Sequence, residues 1–104
     1  MAGREEQIAA LIERTIDAYS FNRYGRKNWE LAIRRLLRIG FSEREIEAIL
    51  LSKWMRWAAD GVSDQYGDVK SGAIIEYIND QTRRYGRMKV SADLAELVEQ
   101  TFAN

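Results

Sequence analysis

The chain has 104 residues, enough for one domain with a single hydrophobic core. It contains no cysteine, histidine or proline, which excludes disulfides, thiolate metal sites and catalysis by a histidine base. Acidic and basic residues balance at 16 each, but residues 22–57 hold nine Lys/Arg against four Glu, whereas residues 58–82 hold one lysine against five acids.

Hydropathy places the chain among globular proteins. Hydrophobic residues make up 46% of it, well above the level of disordered chains. No apolar run approaches the roughly 18 residues of a membrane-spanning helix, and the N-terminal MAGREEQIAA lacks the hydrophobic region of a signal peptide. We therefore expect a soluble, cytoplasmic protein.

The first two predicted helices have apolar residues at helical spacing. The first covers about residues 4–20, and Gly25 beyond it is expected to take the left-handed capping conformation. The second begins at Asn28, a good N-cap, and runs to Ile39. The predicted buried positions are Ile8, Leu11, Ile12, Ile16 and Tyr19 in the first helix and Trp29, Ala32, Ile33, Leu36 and Leu37 in the second.

The stretch GFSEREIEAILLSKWMRWAAD, residues 40–60, contains the clearest helix start in the chain. Gly40 ends the second helix, and Ser42 with Glu45 forms a capping box. Phe41 and Ile46 occupy the two positions of a hydrophobic staple. The pattern predicts that the third helix begins at Ser42.

A helix-turn-helix beginning here is disfavoured. That motif needs a small residue and then a turn glycine, where this chain has Glu47 and Leu51. Nothing in ILLSKWMRWAA breaks a helix, so one long helix is predicted over about residues 42–59. Because it is apolar on two nearly opposite faces, we expect it to be the buried centre of the protein, with Trp54 and Trp57 in the core.

Two further helices are predicted after the polar segment VSDQYGDVK. One runs from about Ser71 to Tyr85 and is closed by Gly86, and the last is capped by Ser91 after a short extended MKV. The predicted fold class is all-α: a compact bundle of four to five helices around the long central helix, in a single domain over residues 1–104. The tetrapeptide RYGR occurs twice, at 23–26 and 84–87, and is interpreted as a glycine helix cap or as a loop contacting phosphate.

Catalysis is not predicted. Asp60, Asp64 and Asp68 recur at intervals of four, without the alternate ligands, central glycine and terminal glutamate of an EF-hand loop. No glycine-rich phosphate loop lies between a strand and a helix. We expect neither an enzyme nor a bound cofactor or metal.

Two binding hypotheses remain. In the first, narrowly favoured by the basic middle of the chain, arginines and lysines contact nucleic-acid phosphates without reading sequence. In the second, the acidic stretch 60–80 or an exposed helix face binds a protein and inhibits or modulates a host factor, for example as an anti-defence or anti-CRISPR type inhibitor. The basic set is Arg23, Arg26, Lys27, Arg34, Arg35, Arg38, Arg84 and Arg87, and the acidic set is Asp60, Asp64, Tyr66 and Asp68.

Homo-oligomerisation is a third hypothesis, because the central helix has more apolar surface than a short bundle covers.

The segment LSKWMRWAAD, residues 51–60, resembles a segment of small helical proteins of actinobacterial phages. In those proteins a similar helix follows Gly-Phe-Ser or Gly-Tyr-Ser and precedes a Tyr-Gly loop and another helix, and Gly40 to Ile78 keeps that order here. We expect an accessory or regulatory binding protein, and the resemblance implies a phage or mobile-element origin. It assigns no activity and no functional residue.

Overall fold

The computed structural model describes residues 3–16, 25–52 and 72–103, and these ranges contain five α-helices and no strand. In chain order they are α1 (Arg4–Thr15), α2 (Gly25–Ile39), α3 (Glu43–Leu50), α4 (Ala73–Tyr85) and α5 (Arg87–Phe102). This confirms the predicted all-α bundle. None of the described helices combines the length and the apolar character needed to cross a membrane.

The core is one cluster to which all five helices contribute. The predicted buried stripes of α1 and α2 are confirmed, with Leu37 and Ile16 only partly buried at their edges and Tyr19 outside the described residues. α3 packs against α1, α2 and α5, so its predicted central position is also confirmed. The cluster comprises Ile8, Leu11, Ile12, Trp29, Ile33, Leu36, Ile46, Ile49, Leu50, Ala73, Ile74 and Leu94.

A buried hydrogen-bond relay joins α1 to α2 inside this cluster. The indole Nε1 of Trp29 donates to Oγ1 of Thr15 at 2.8 Å, and that hydroxyl donates to the carbonyl of Leu11 at 2.6 Å. Trp29 is 1% exposed and Thr15 is fully buried. The polar atom of the largest core side chain is therefore satisfied without water.

The predicted start of α3 is confirmed in detail. Oγ of Ser42 accepts from the backbone N–H of Glu45 at 3.2 Å, and the Glu45 carboxylate accepts from the backbone N–H of Ser42 at 2.8 Å. Gly40 has a φ of 117°, the left-handed region that favours glycine, and Phe41 packs against the core cluster. Local side-chain chemistry was sufficient to place this boundary.

The predicted length of α3 is wrong within the described residues, because the helix ends at Leu50. Ser52 closes a tighter turn: its backbone N–H and its hydroxyl both donate to the carbonyl of Ile49, at 3.2 and 2.7 Å. A serine hydroxyl that bonds a backbone carbonyl in this way competes with the regular helical ladder. The remainder of the predicted helix, with Trp54 and Trp57, lies outside the described residues.

Two other predicted helix starts are also wrong. α2 begins at Gly25 rather than after Asn28, and Gly25 is helical rather than left-handed. An ion pair from Arg26 to Glu13 of α1, at 3.1 Å, stabilises this extra turn.

α5 begins at Arg87, so MKV is helical and Ser91 lies inside the helix instead of capping it. Gly86, with φ 87° and ψ 160°, turns the chain in a single residue, and its carbonyl accepts the first helical hydrogen bond, from Val90, at 3.2 Å. Lys89 and Asp93, which lie one helical turn apart, form an ion pair at 2.6 Å that supports the first turn of α5. The predicted closure of α4 by Gly86 is confirmed, and α4 starts at Ala73, close to the predicted position.

Candidate nucleic-acid interface

The edge of α2 that faces α1 carries arginines whose charges are already neutralised. Arg34 donates from both terminal nitrogens to Glu5, at 2.9 and 2.7 Å, and also to Glu30 at 2.8 Å. Arg26 pairs with Glu13 at 3.1 Å. Because Glu5 and Glu13 lie in order along α1 and their partners in reverse order along α2, the two helices run antiparallel and these pairs span their seam.

The ion pair between Arg34 and Glu5 shifts the pKa of both groups. Hydrogen bonding to Arg34 lowers the pKa of the Glu5 carboxyl, and hydrogen bonding to Glu5 and then Glu30 raises the pKa of the Arg34 guanidinium. Each group thus favours the charged form of the other at neutral pH. Arg34, a predicted phosphate contact, is held by carboxylates before any ligand arrives.

The outer face of α2, defined here as Lys27, Leu31, Arg35 and Arg38, is different. All four side chains are exposed, and the three cations form no ion pair with any other residue that the structure describes. Their spacing of four, four and three residues places them along one side of the helix, about 16 Å from end to end at 1.5 Å per residue. Leu31, 39% exposed, lies within this basic row.

Arg35 lies at the junction of α2 with α4. Its Nη1 atom is 2.7 Å from the position that a Cβ would occupy on Gly72, the residue preceding α4. The missing side chain of Gly72 therefore makes room for the guanidinium. Sequence reasoning missed this role, because no local pattern connects residues 35 and 72.

The two predicted arginines of the second RYGR lie in different environments. Arg84 pairs with Asp80 at 3.1 Å, and the same carboxylate binds Arg83 at 2.5 Å. Arg87, the first residue of α5, is exposed and forms no ion pair among the described residues. The glycine-cap interpretation is confirmed for this copy by the positive φ of Gly86 and is wrong for the first copy, where Gly25 opens a helix.

The remaining candidates fall outside the described residues: Arg23, and the whole acidic set of Asp60, Asp64, Tyr66 and Asp68. Within the ranges that the structure describes, no group of three or more Asp or Glu side chains is placed to hold a metal ion. Of the eight predicted basic residues, the structure brings Lys27, Arg35 and Arg38 together on an open face.

Comparisons with protein families, with curated proteins and with solved structures found no match for this chain. Its function is therefore argued from its own geometry.

Proposed function

We propose that this chain is a non-enzymatic, phage-type accessory protein that contacts nucleic-acid phosphates through the outer face of α2, without reading the base sequence. The observation that carries the proposal is the contrast between neighbouring arginines. Arg34 is bound by two carboxylates, whereas Arg35 and Arg38 are exposed and have no carboxylate partner among the described residues.

The spacing of the cations suits a run of phosphates. Arg35 and Arg38 are one helical turn apart, so their long side chains can each contact a separate phosphate of one strand, and Lys27 lies about 12–16 Å further along the helix, in reach of a third. Contacts of this kind position a protein on nucleic acid but carry no sequence information. Arg87, exposed at the start of α5, can add one more.

The number of free cations sets the expected salt dependence. Each neutralised phosphate contributes about −0.9 to the slope of log affinity against log salt on duplex DNA, so three or four contacts predict a slope of roughly −3 to −4. The full set of eight basic residues is not available, since Arg26, Arg34 and Arg84 are paired with carboxylates.

The test is a salt titration of binding to a labelled duplex of about 20 base pairs, measured by fluorescence anisotropy. Replacing both arginines, Arg35→Gln with Arg38→Gln, should reduce the steepness of the slope by about 2 and weaken binding by at least about tenfold at low salt. The matched control is Arg83→Gln with Lys89→Gln, which changes the net charge equally at exposed residues outside the outer face. It should retain most of the affinity.

Two outcomes would overturn the proposal. One is equal loss of affinity in the test and control pairs, which would show a net-charge effect with no defined surface. The other is no binding of the wild-type protein at about 100 µM and low salt, because non-specific binders reach Kd values of about 10⁻⁴ to 10⁻⁶ M even at physiological salt. Far-UV circular dichroism of each variant verifies that the helices are intact.

A further inference from the structure

A shallow groove lies where the end of α2 and the start of α3 face α5. Its volume is about 260 Å³. Leu94 is buried at its base and Phe41 packs against the core beside it, whereas Ile39 is 57% exposed. The lining residues are Ile39, Gly40, Phe41, Glu45, Ser91 and Leu94.

A second exposed apolar side chain lies within one helical turn of a residue that lines the groove. Met88 is 88% exposed, and it lies one helical turn before Ser91 on α5. Covering exposed side chains of this size releases roughly 25 cal/mol for each Å² of apolar area removed from water. Phosphate contacts alone leave these two side chains uncovered.

Two exposed arginines lie close in sequence to residues that line the groove. Arg38 directly precedes Ile39 on α2, and Arg87 lies one turn before Ser91 on α5, so each is within one helical turn of a lining residue. Both are exposed and unpaired within the described ranges. Glu45, the one carboxylate among the described lining residues, is already engaged in the capping box with Ser42.

We infer that this groove binds an acidic amphipathic helix of a partner protein. One apolar side chain of that helix inserts between Ile39 and Leu94, and carboxylates on either side of it pair with Arg38 and Arg87. Such a ligand complements the apolar lining and the positive flanks together. A nucleic acid supplies the negative charge without an aliphatic side chain, and a basic or neutral helix supplies the side chain without the charge.

The test uses a synthetic peptide helix of about four turns, with leucines at helical spacing and glutamates on both flanks, and a second peptide in which every glutamate is lysine. Two-dimensional amide NMR spectra should show shifts at residues 39–41 and 91–94 with the acidic peptide. The lysine peptide should bind at least about tenfold more weakly, since like charges face each other across the interface. Ile39→Ser should weaken the acidic peptide by at least about fivefold, the loss typical of an interface anchor.

Matched variants separate this surface from the proposed nucleic-acid face. Leu51→Ser removes a comparably exposed apolar side chain, 43% exposed, that does not line the groove, and should leave peptide binding unchanged. Lys27→Gln should weaken DNA binding and spare the peptide, whereas Ile39→Ser should do the opposite. Failure of one site is thus distinguishable from failure of the other.

Three results would overturn the inference. They are no amide shifts at about 0.5 mM acidic peptide, equal binding of the acidic and basic peptides, and shifts confined to residues outside the groove. Sedimentation equilibrium tests whether a second copy of the chain covers the groove instead. A dimer that Ile39→Ser dissociates would show that it does, and would also overturn the inference.

Discussion

The two polar sides of α2 carry the same kinds of residue, yet only one of them is available for a ligand. On the side facing α1, Arg26 and Arg34 are bound by glutamates that lie 13 and 29 residues away in sequence. On the outer face, Lys27, Arg35 and Arg38 meet no carboxylate among the described residues. Arg34 and Arg35 are adjacent in the chain and belong to different sides. The availability of a cation is therefore decided by the neighbouring helix, and the composition of α2 alone does not predict it.

The largest expected effect separates the core side of α2 from its outer face. Trp29→Ala should lower the free energy of unfolding by about 3–5 kcal/mol, because it leaves a cavity in the core. Leu31→Ala, two residues away on the outer face, should change it by no more than about 0.5 kcal/mol. Urea denaturation followed by far-UV circular dichroism measures both. Similar losses in the two variants would show that the outer face is packed.

A smaller effect tests the relay that joins α1 to the core side of α2. Thr15→Val removes the hydroxyl that accepts the indole N–H of Trp29 and should cost about 1–3 kcal/mol of unfolding free energy. Thr15→Ser keeps that hydroxyl and serves as the control. If Thr15→Val leaves the free energy of unfolding unchanged in denaturant titrations, the hydrogen bond contributes nothing.

The contrast between the two polar sides is tested most directly by single replacements. Arg38→Gln should reduce the steepness of the salt dependence of DNA binding by about 0.9, one phosphate contact, with no effect on stability. Arg34→Gln should leave the slope unchanged and slightly lower the thermal midpoint, because it breaks the pairs with Glu5 and Glu30. A loss of DNA binding in Arg34→Gln, with the fold intact, would place Arg34 in the interface and contradict the division proposed for α2.

The smallest effect concerns acid. Arg14 of α1 bonds two carboxylates of α3, Glu43 at 2.8 Å and Glu47. Hydrogen bonding from Arg14, and then from Gln7, lowers the pKa of the Glu43 carboxyl from its ordinary value of 4.5. Between the lowered and the ordinary pKa the unfolded chain binds more protons, so stability should fall as the pH drops below about 4.5.

The matched variant for the acid effect is Glu43→Gln. It should be slightly less stable than the wild type at neutral pH, and its stability should fall less steeply below about pH 4.5. The Glu5 carboxyl, whose pKa is also lowered, adds to the acid sensitivity in both proteins. Parallel pH profiles of the two proteins in denaturant titrations would show that the Arg14 bridge does not contribute to acid stability.

The sequence by itself determined those features that depend on local chemistry or on periodicity. Helical spacing predicted the buried stripes of α1 and α2, and the capping box of Ser42 with Glu45 predicted the start of α3. Gly40 and Gly86 were predicted to end helices, and both have positive φ. Each of these signals is a pattern of residues within a few helical turns, so it can be recognised without knowing which helices pack together.

Only the tertiary structure decided where α2 begins and whether each arginine is paired with a carboxylate. α2 starts early at Gly25, and its next residue, Arg26, pairs with Glu13 on another helix. The guanidinium of Arg35 lies beside Gly72, which is 37 residues further along the chain. These outcomes depend on which groups the packed helices bring within a few ångströms of one another. Hydrogen bonds and close ion pairs form only at such distances, and the distance between two side chains in space cannot be read from their separation in sequence.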